Sequence, residues 1–157
     1  MGPLSHFDSQ GASRMVDVGG KDVTMRRARA SGRIRMRPET LRLIRDRALE
    51  KGDVLEVARL AGIMAAKRTG ELIPLCHVLP LDAVSLSFEF PDDATVAIEA
   101  EARATARTGV EMEALVAVAI AAVTIYDMCK SVDRAMVVEQ VRLEEKSGGQ
   151  SGHFVRR

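Results

Sequence analysis

A chain of 157 residues with 46% hydrophobic and 29% charged side chains has the composition of one soluble globular domain, large enough to bury about two thirds of its unfolded surface. The formal net charge of +1 argues against a general polyanion binder, and with no Trp, one Tyr and four Phe the core has to be built from aliphatics and alanine. Two cysteines, Cys76 and Cys129, are too few for a disulfide framework, and without a charged, then apolar, then small-residue leader a cytoplasmic location is expected.

Residues 1–14 carry no hydrophobic period and read as a flexible arm ahead of a single domain over 15–146. From about Val23 to Arg37 the pattern alternates, most clearly in Arg33-Ile34-Arg35-Met36-Arg37, which predicts a strand with one basic face. Between Lys21 and Arg47 ten Lys or Arg stand against three acids. Such a surface is either simply solvated or a cationic wall for a phosphorylated ligand. Pro38-Glu39 starts a helix, with Leu41, Ile44 and Ala48 at helical spacing, and Lys51-Gly52 breaks it. Asp53 caps a second helix that runs to about Arg68. From Ser85 to Phe90 the pattern alternates again, Pro91-Asp92-Asp93-Ala94 turns, and Val96, Ile98, Ala100 and Ala102 alternate with Glu99, Glu101 and Arg103, giving a hairpin with one buried face. A helix from near Gly109 to near Lys130 has Thr124 as the one polar residue between Ala114 and Ile125. Those twelve residues fall short of the roughly 20 a bilayer needs, so this is a core helix. A last strand spans about Met136 to Glu144, and 147–157 read as a flexible Gly/Ser-rich tail. Helices on one face of a four-stranded antiparallel sheet make an α+β, ferredoxin-like fold.

The core helix ends in Tyr126-Asp127-Met128-Cys129-Lys130, an acid and a base that a buried helix has little use for unless they pair at a solvated end. A second polar cluster follows Ala65-Ala66-Lys67-Arg68-Thr69, where Pro74 stiffens the turn carrying Cys76 and His77. Zinc at Cys76, His77 and Cys129 lacks a fourth ligand and a recognisable spacing, and a Cys76–His77 nucleophile is disfavoured because adjacent residues point apart. No P-loop or dinucleotide fingerprint occurs, and the last strand lacks the aromatics on which RNA-binding sheets stack bases. An assembly protein would use the same charges as interface ion pairs. The remaining reading is acid/base chemistry on a nucleotide-like phosphate ester, with Lys51, Lys67, His77, Asp127, Lys130 and Lys146 as donors and acceptors whose pKa values proximity can separate. Glu111 and Glu113 lie roughly 200° apart on a helix, so at most one is expected in a given pocket. Glu113 and Asp127 share a face within about 40° but lie roughly 21 Å apart, which one ligand can span only if a neighbouring chain completes the pocket.

Four runs carry a family resemblance: Lys67-Arg68-Thr69, Leu72-Ile73-Pro74-Leu75-Cys76-His77, Thr108-Gly109-Val110-Glu111-Met112-Glu113-Ala114-Leu115 and Thr124-Ile125-Tyr126-Asp127-Met128-Cys129-Lys130. With Met15-Val16-Asp17-Val18 near the start and Lys146-Ser147-Gly148-Gly149 near the end, the chain resembles the molybdenum cofactor biosynthesis protein C (cyclic pyranopterin monophosphate synthase) family over about residues 13 to 152. Val78 and Gly70 depart from the pattern, where a proline and a bulkier residue are common. The resemblance implies the same fold and a lyase that converts a cyclised dihydro-GTP, supplied by a radical SAM enzyme, to cyclic pyranopterin monophosphate and pyrophosphate. It implies Asp127 and Lys130 as the central acid/base pair, assisted by Lys51 and Lys146. Leu75, Cys76, His77, Met112 and Glu113 would line the substrate site, joined by Lys67, Glu111, Lys21 and Arg26 as further contacts. No cofactor or protein-held metal is implied, although Mg²⁺ could accompany the pyrophosphate moiety. The implied partner is the chain itself, in a dimer-built hexamer, with no nucleic acid and no membrane. Another purine-nucleotide cyclohydrolase or phosphate lyase would use the same groups, and a protein that only binds would show no turnover.

Overall fold

A computed structural model describes residues 6–49, 52–150 and 152–157. Strand β1 (Thr24–Arg35) opens the fold, and its burial alternates as the sequence pattern predicts, with Ala28, Ala30, Gly32 and Ile34 facing inward. Helix α1 (Pro38–Arg45) begins at its proline, and α2 (Val54–Lys67) is capped by Asp53, whose carboxylate accepts from the Leu55 and Glu56 N–H groups. A short α3 (Thr69–Leu72) leads through the Leu75–His77 turn to the hairpin β2 (Ala83–Glu89) and β3 (Thr95–Ala106). Helix α4 (Glu111–Cys129) and β4 (Val137–Ser147) follow. The sheet is antiparallel throughout in the order β2-β3-β1-β4-β5, its first four strands in the ferredoxin-like arrangement.

Three outcomes differ from the sequence expectation, one of them the short α3, which no period announced. The last main strand runs on to Ser147, and a fifth strand, β5 (Phe154–Val155), returns inside the segment read as a tail to pair with Glu145 and Lys146. Two residues are too short to show a period, which is why the pattern gave no sign of it.

By length and hydropathy α4 would pass for a membrane span, yet ten of its residues are buried in the fold, as befits a core helix. The core is alanine-rich on both sides of the helix–sheet interface: Ala28, Ala30, Ala100, Ala102 and Ala104 on the strands, and Ala114, Ala117, Ala121 and Ala122 on α4. Small side chains bring the layers close together. A Cβ on Gly32 would sit 2.6 Å from Val118, and one on Gly62 of α2 would sit 2.6 Å from Leu86 and 2.9 Å from the Ala117 carbonyl.

The far end of α4 is fixed by Asp133, 3% exposed in the loop to β4. Its carboxylate accepts from the Arg37 and Ala135 N–H groups at 2.9 and 3.1 Å and from the Thr40 hydroxyl at 3.2 Å. Burial pushes this carboxyl up, but those hydrogen bonds and the Arg37 charge outweigh it and hold it below the usual carboxylate range. On the open face of the sheet the basic side of β1 is largely neutralised. Arg27 pairs with Glu101 and Glu145, and Arg29 with Glu99 and Glu145. The positive excess read in the sequence therefore divides, since Arg26 points the other way.

Candidate active site

Two adjoining cavities open where β1, β3 and β4 meet the first turn of α4. The larger, about 700 Å³, is walled by Lys21, Arg26, Arg107, Glu111, Lys146 and Gly149. The smaller, about 420 Å³, is lined by Leu75, Cys76 and His77 on one side and Met112 and Glu113 on the other. Lys21, Thr108, Gly109 and Glu111 border both, so the two share a wall and hollow out one region of the surface.

Local folding explains the convergence. The α3 turn carries the chain from α2 back over α4, and Ile73 to His77 follow without regular structure, the Cys76 N–H bonding the Ile73 carbonyl at 3.1 Å. Gly109 lets Glu111 fold back, because a Cβ there would overlap the Glu111 carboxylate. Glu111 in turn pairs with Lys146 at 2.8 Å, tying the start of α4 to the end of β4. Both Glu111 and Glu113 line the smaller cavity, against the expectation that only one would. The cavity borders the chain from Thr108 to Glu113, across the start of α4, so the angle around the axis stops being decisive there.

Glu113 is 4% exposed, and burial pushes its carboxyl up to about 7, with the Glu111 charge acting the same way against the lowering effect of a backbone N–H. The Cys76 thiol is also pushed up, by burial and by the Glu113 charge, which leaves less of the thiolate that nucleophilic chemistry needs. Arg26 is 7% exposed, its Nε and Nη2 donating to the carbonyls of Ala106 and Arg107 at 3.2 Å each. A hollow with one acid that titrates near neutrality and several cations suits a phosphorylated, hydrogen-bonding ligand.

The other expected groups lie elsewhere. Asp127 and Lys130 pair at 2.5 Å on the last turn of α4, each more than half exposed, roughly 24 Å along the helix from Glu111. Lys67 is exposed at the end of α2 and lines neither cavity. Lys51 lies outside the described residues. Sequence reasoning did not single out Arg107, Asp22 or Gln150, which border the larger cavity. Arg107 sits one residue before the Thr108-Gly109 run, and that adjacency was the available signal. The two unusual positions touch each other: a Cβ on Gly70 would come within 2.8 Å of the Val78 side chain and 3.2 Å of its Cα.

Residues 15–149 match the sequence profile of the MoaC family. The chain is 63% identical to the cyclic pyranopterin monophosphate synthase of Magnetococcus marinus, over 99% of this chain and 96% of that protein. It is 58% identical to the protein of the same name from Heliobacterium modesticaldum, over 99% of each. It is also 59% identical to cyclic pyranopterin monophosphate synthase 3 of Mycobacterium tuberculosis, over 99% of this chain and 88% of that protein.

Proposed function

The chain belongs to the MoaC family, and on that premise we propose that its paired cavities hold a cyclised dihydro-GTP, (8S)-3',8-cyclo-7,8-dihydroguanosine 5'-triphosphate, for conversion to cyclic pyranopterin monophosphate and pyrophosphate. It is an enzyme of molybdenum cofactor biosynthesis, a lyase. The observation that carries the substrate assignment is the joining of a cationic cavity to one lined by Leu75, Cys76, His77, Met112 and Glu113.

A triphosphate carries about four negative charges, and Lys21, Arg26 and Lys146 are groups of the kind that hold such an anion. The same cations stabilise the charge that develops on departing pyrophosphate as a sugar hydroxyl attacks the phosphate. Near pH 7 about half of Glu113 is protonated, and that form donates a hydrogen bond to the ring system, which an ionised carboxylate could not do. No redox step is involved; rings open and close, and protons move. Asp127 and Lys130 serve as the acid/base pair, and Lys51 and Lys67 assist. Were Mg²⁺ to arrive on the pyrophosphate moiety, Asp22 and Glu111 are the carboxylates that border the larger cavity. The working form is a homo-oligomer built from dimers, a hexamer, in which the Asp127–Lys130 end of one chain completes the cavity of another. The roughly 24 Å between the two halves on one helix supports this. We place the reaction in the cytoplasm, in keeping with two free thiols.

Mass spectrometry after incubating the purified chain with the cyclised dihydro-GTP tests the proposal. Cyclic pyranopterin monophosphate and one equivalent of pyrophosphate are expected. Formate, or no product despite tight binding, would overturn it.

A further inference from the structure

Three arginines of β1 contrast in their surroundings. Arg27 and Arg29 lie on the open face and are neutralised by glutamates. Arg26 is buried, and its guanidinium has backbone carbonyls as partners and, among the described residues, no carboxylate. A buried cation satisfied only by neutral acceptors keeps its charge available to an anion, and this one borders the larger cavity. The chain leaving β4 passes directly over it. Gly148 has φ +104, and a Cβ there would overlap the Met25 carbonyl. Gly149 has φ +70, and a Cβ there would overlap the guanidinium itself. Gln150, the next residue, borders the same cavity.

We propose that Gly149 is a positioning residue: its bare α-carbon lets the chain after β4 lie against the Arg26 guanidinium and hold that group toward the cavity, ready to clamp the phosphate chain of the ligand. The identity of that ligand rests on the function proposed above; the strap itself rests on contacts within the chain. Ordinarily an arginine side chain would move aside for a methyl group. Here Nε and Nη2 are tied to Ala106 and Arg107 while Gly149 lies against Nη1, so moving aside for a methyl group disturbs those bonds. The rigid fork then loses the pre-organisation that makes arginine a better phosphate clamp than lysine.

Gly152 supplies an internal control. It has φ +69, nearly the same φ, but nothing lies within 4 Å of a Cβ built there. Alanine at 149 and alanine at 152 therefore both carry the cost of a positive φ, and only the first meets Arg26. Each variant is tested as the full chain, by calorimetry with inorganic tripolyphosphate and by steady-state turnover of the cyclised dihydro-GTP. Gly149→Ala is expected to raise the Kd for tripolyphosphate and the KM about tenfold or more, with a smaller change in kcat. Gly152→Ala is expected to stay within about twofold of the parent in both. In an Arg26→Lys background, where a slender ammonium leaves room for the methyl group, adding Gly149→Ala is expected to change Kd less than about twofold. This pair also reads the contact if Gly149→Ala alone does not fold. Equal effects of the two glycine variants, or an undiminished Gly149→Ala effect in the Arg26→Lys background, would overturn the strap. If the parent chain makes product while those outcomes appear, the proposed function stands without it. If tripolyphosphate binding depends on Arg26 and Gly149 as described but no product forms, the strap stands and the proposed reaction falls.

Discussion

At the first turn of α4, Glu113 is 4% exposed and its carboxyl is pushed up to about 7; at the last turn, Asp127 and Lys130 pair at 2.5 Å with more than half of each side chain in water. One helix thus holds its acidic groups in two opposite ways. At the buried end burial sets the protonation state, in a cavity that adjoins the cationic one. At the exposed end an acid and a base are paired with each other in water. On the function proposed above, the second end needs a neighbouring chain to cover it, whereas the first already borders two cavities of its own chain.

The largest effects should come from the exposed end. Asp127→Ala or Lys130→Ala is expected to lower kcat about 10²–10⁴-fold with melting temperature nearly unchanged, as measured by turnover and calorimetry. Mixing Glu113→Ala with Asp127→Ala chains should then restore part of the activity, because some sites would combine two intact halves. No recovery after demonstrated subunit exchange would break the comparison, leaving each end to work alone.

The anchor behind that end gives the next largest effect. Asp133→Ala strips three donors of a buried acceptor and should cost about 1–3 kcal/mol in denaturant unfolding while sparing tripolyphosphate binding at the other end. Because its folded pKa is lowered, the contribution of Asp133 is present above the unfolded carboxyl pKa and is lost as pH falls through the folded one. The stability difference between parent and variant should accordingly shrink in acid.

Glu113 has the opposite sign. Its folded pKa of about 7 lies above the unfolded value, so its favourable share of stability is full in acid and is lost as pH rises from about 4.5 toward 7. Glu113→Gln should therefore raise the melting temperature relative to the parent at pH 8 and change it little at pH 4. The same offset at both pH values would show that burial does not set this carboxyl. The smallest effect is expected at Gly70, where alanine must push the Val78 backbone and hence His77 by a few tenths of an ångström. A KM increase below about tenfold is expected, diminished when Val78→Ala is added.

Much of this arrangement could be read from the residues. Alternation in Ser85–Phe90 and Val96–Ala102, the unbroken apolar run in α4 and the Asp53 cap are local signals, and the structure has the corresponding elements. The distance between Glu113 and Asp127 followed from helix geometry alone, and a continuous α4 preserves it. What escaped was set by contacts distant in sequence. Asp133 looks like an ordinary loop acid until Arg37 and Thr40 are brought to it. Arg26 and Arg27 are neighbours of one type, and only the sheet tells them apart, by sending one toward glutamates and the other under Gly149. The resemblance supplied candidate roles for both ends of α4; spacing alone gave their separation and no chemistry.

The alanine lining between α4 and the sheet has a consequence for how this sequence can drift. Most cores lose by truncation, because a large side chain leaves a hole. Here much of the interface consists of methyl groups with Gly32 and Gly62 between them, so truncation has little left to remove, while almost any enlargement has nowhere to go. Variation at these positions should be one-directional, tolerant of Ala→Gly or Ala→Ser and closed to Ala→Leu. The spacing of helix from sheet, and with it the shape of the hollow at the first turn, would then persist through substitutions that freely remodel the surface.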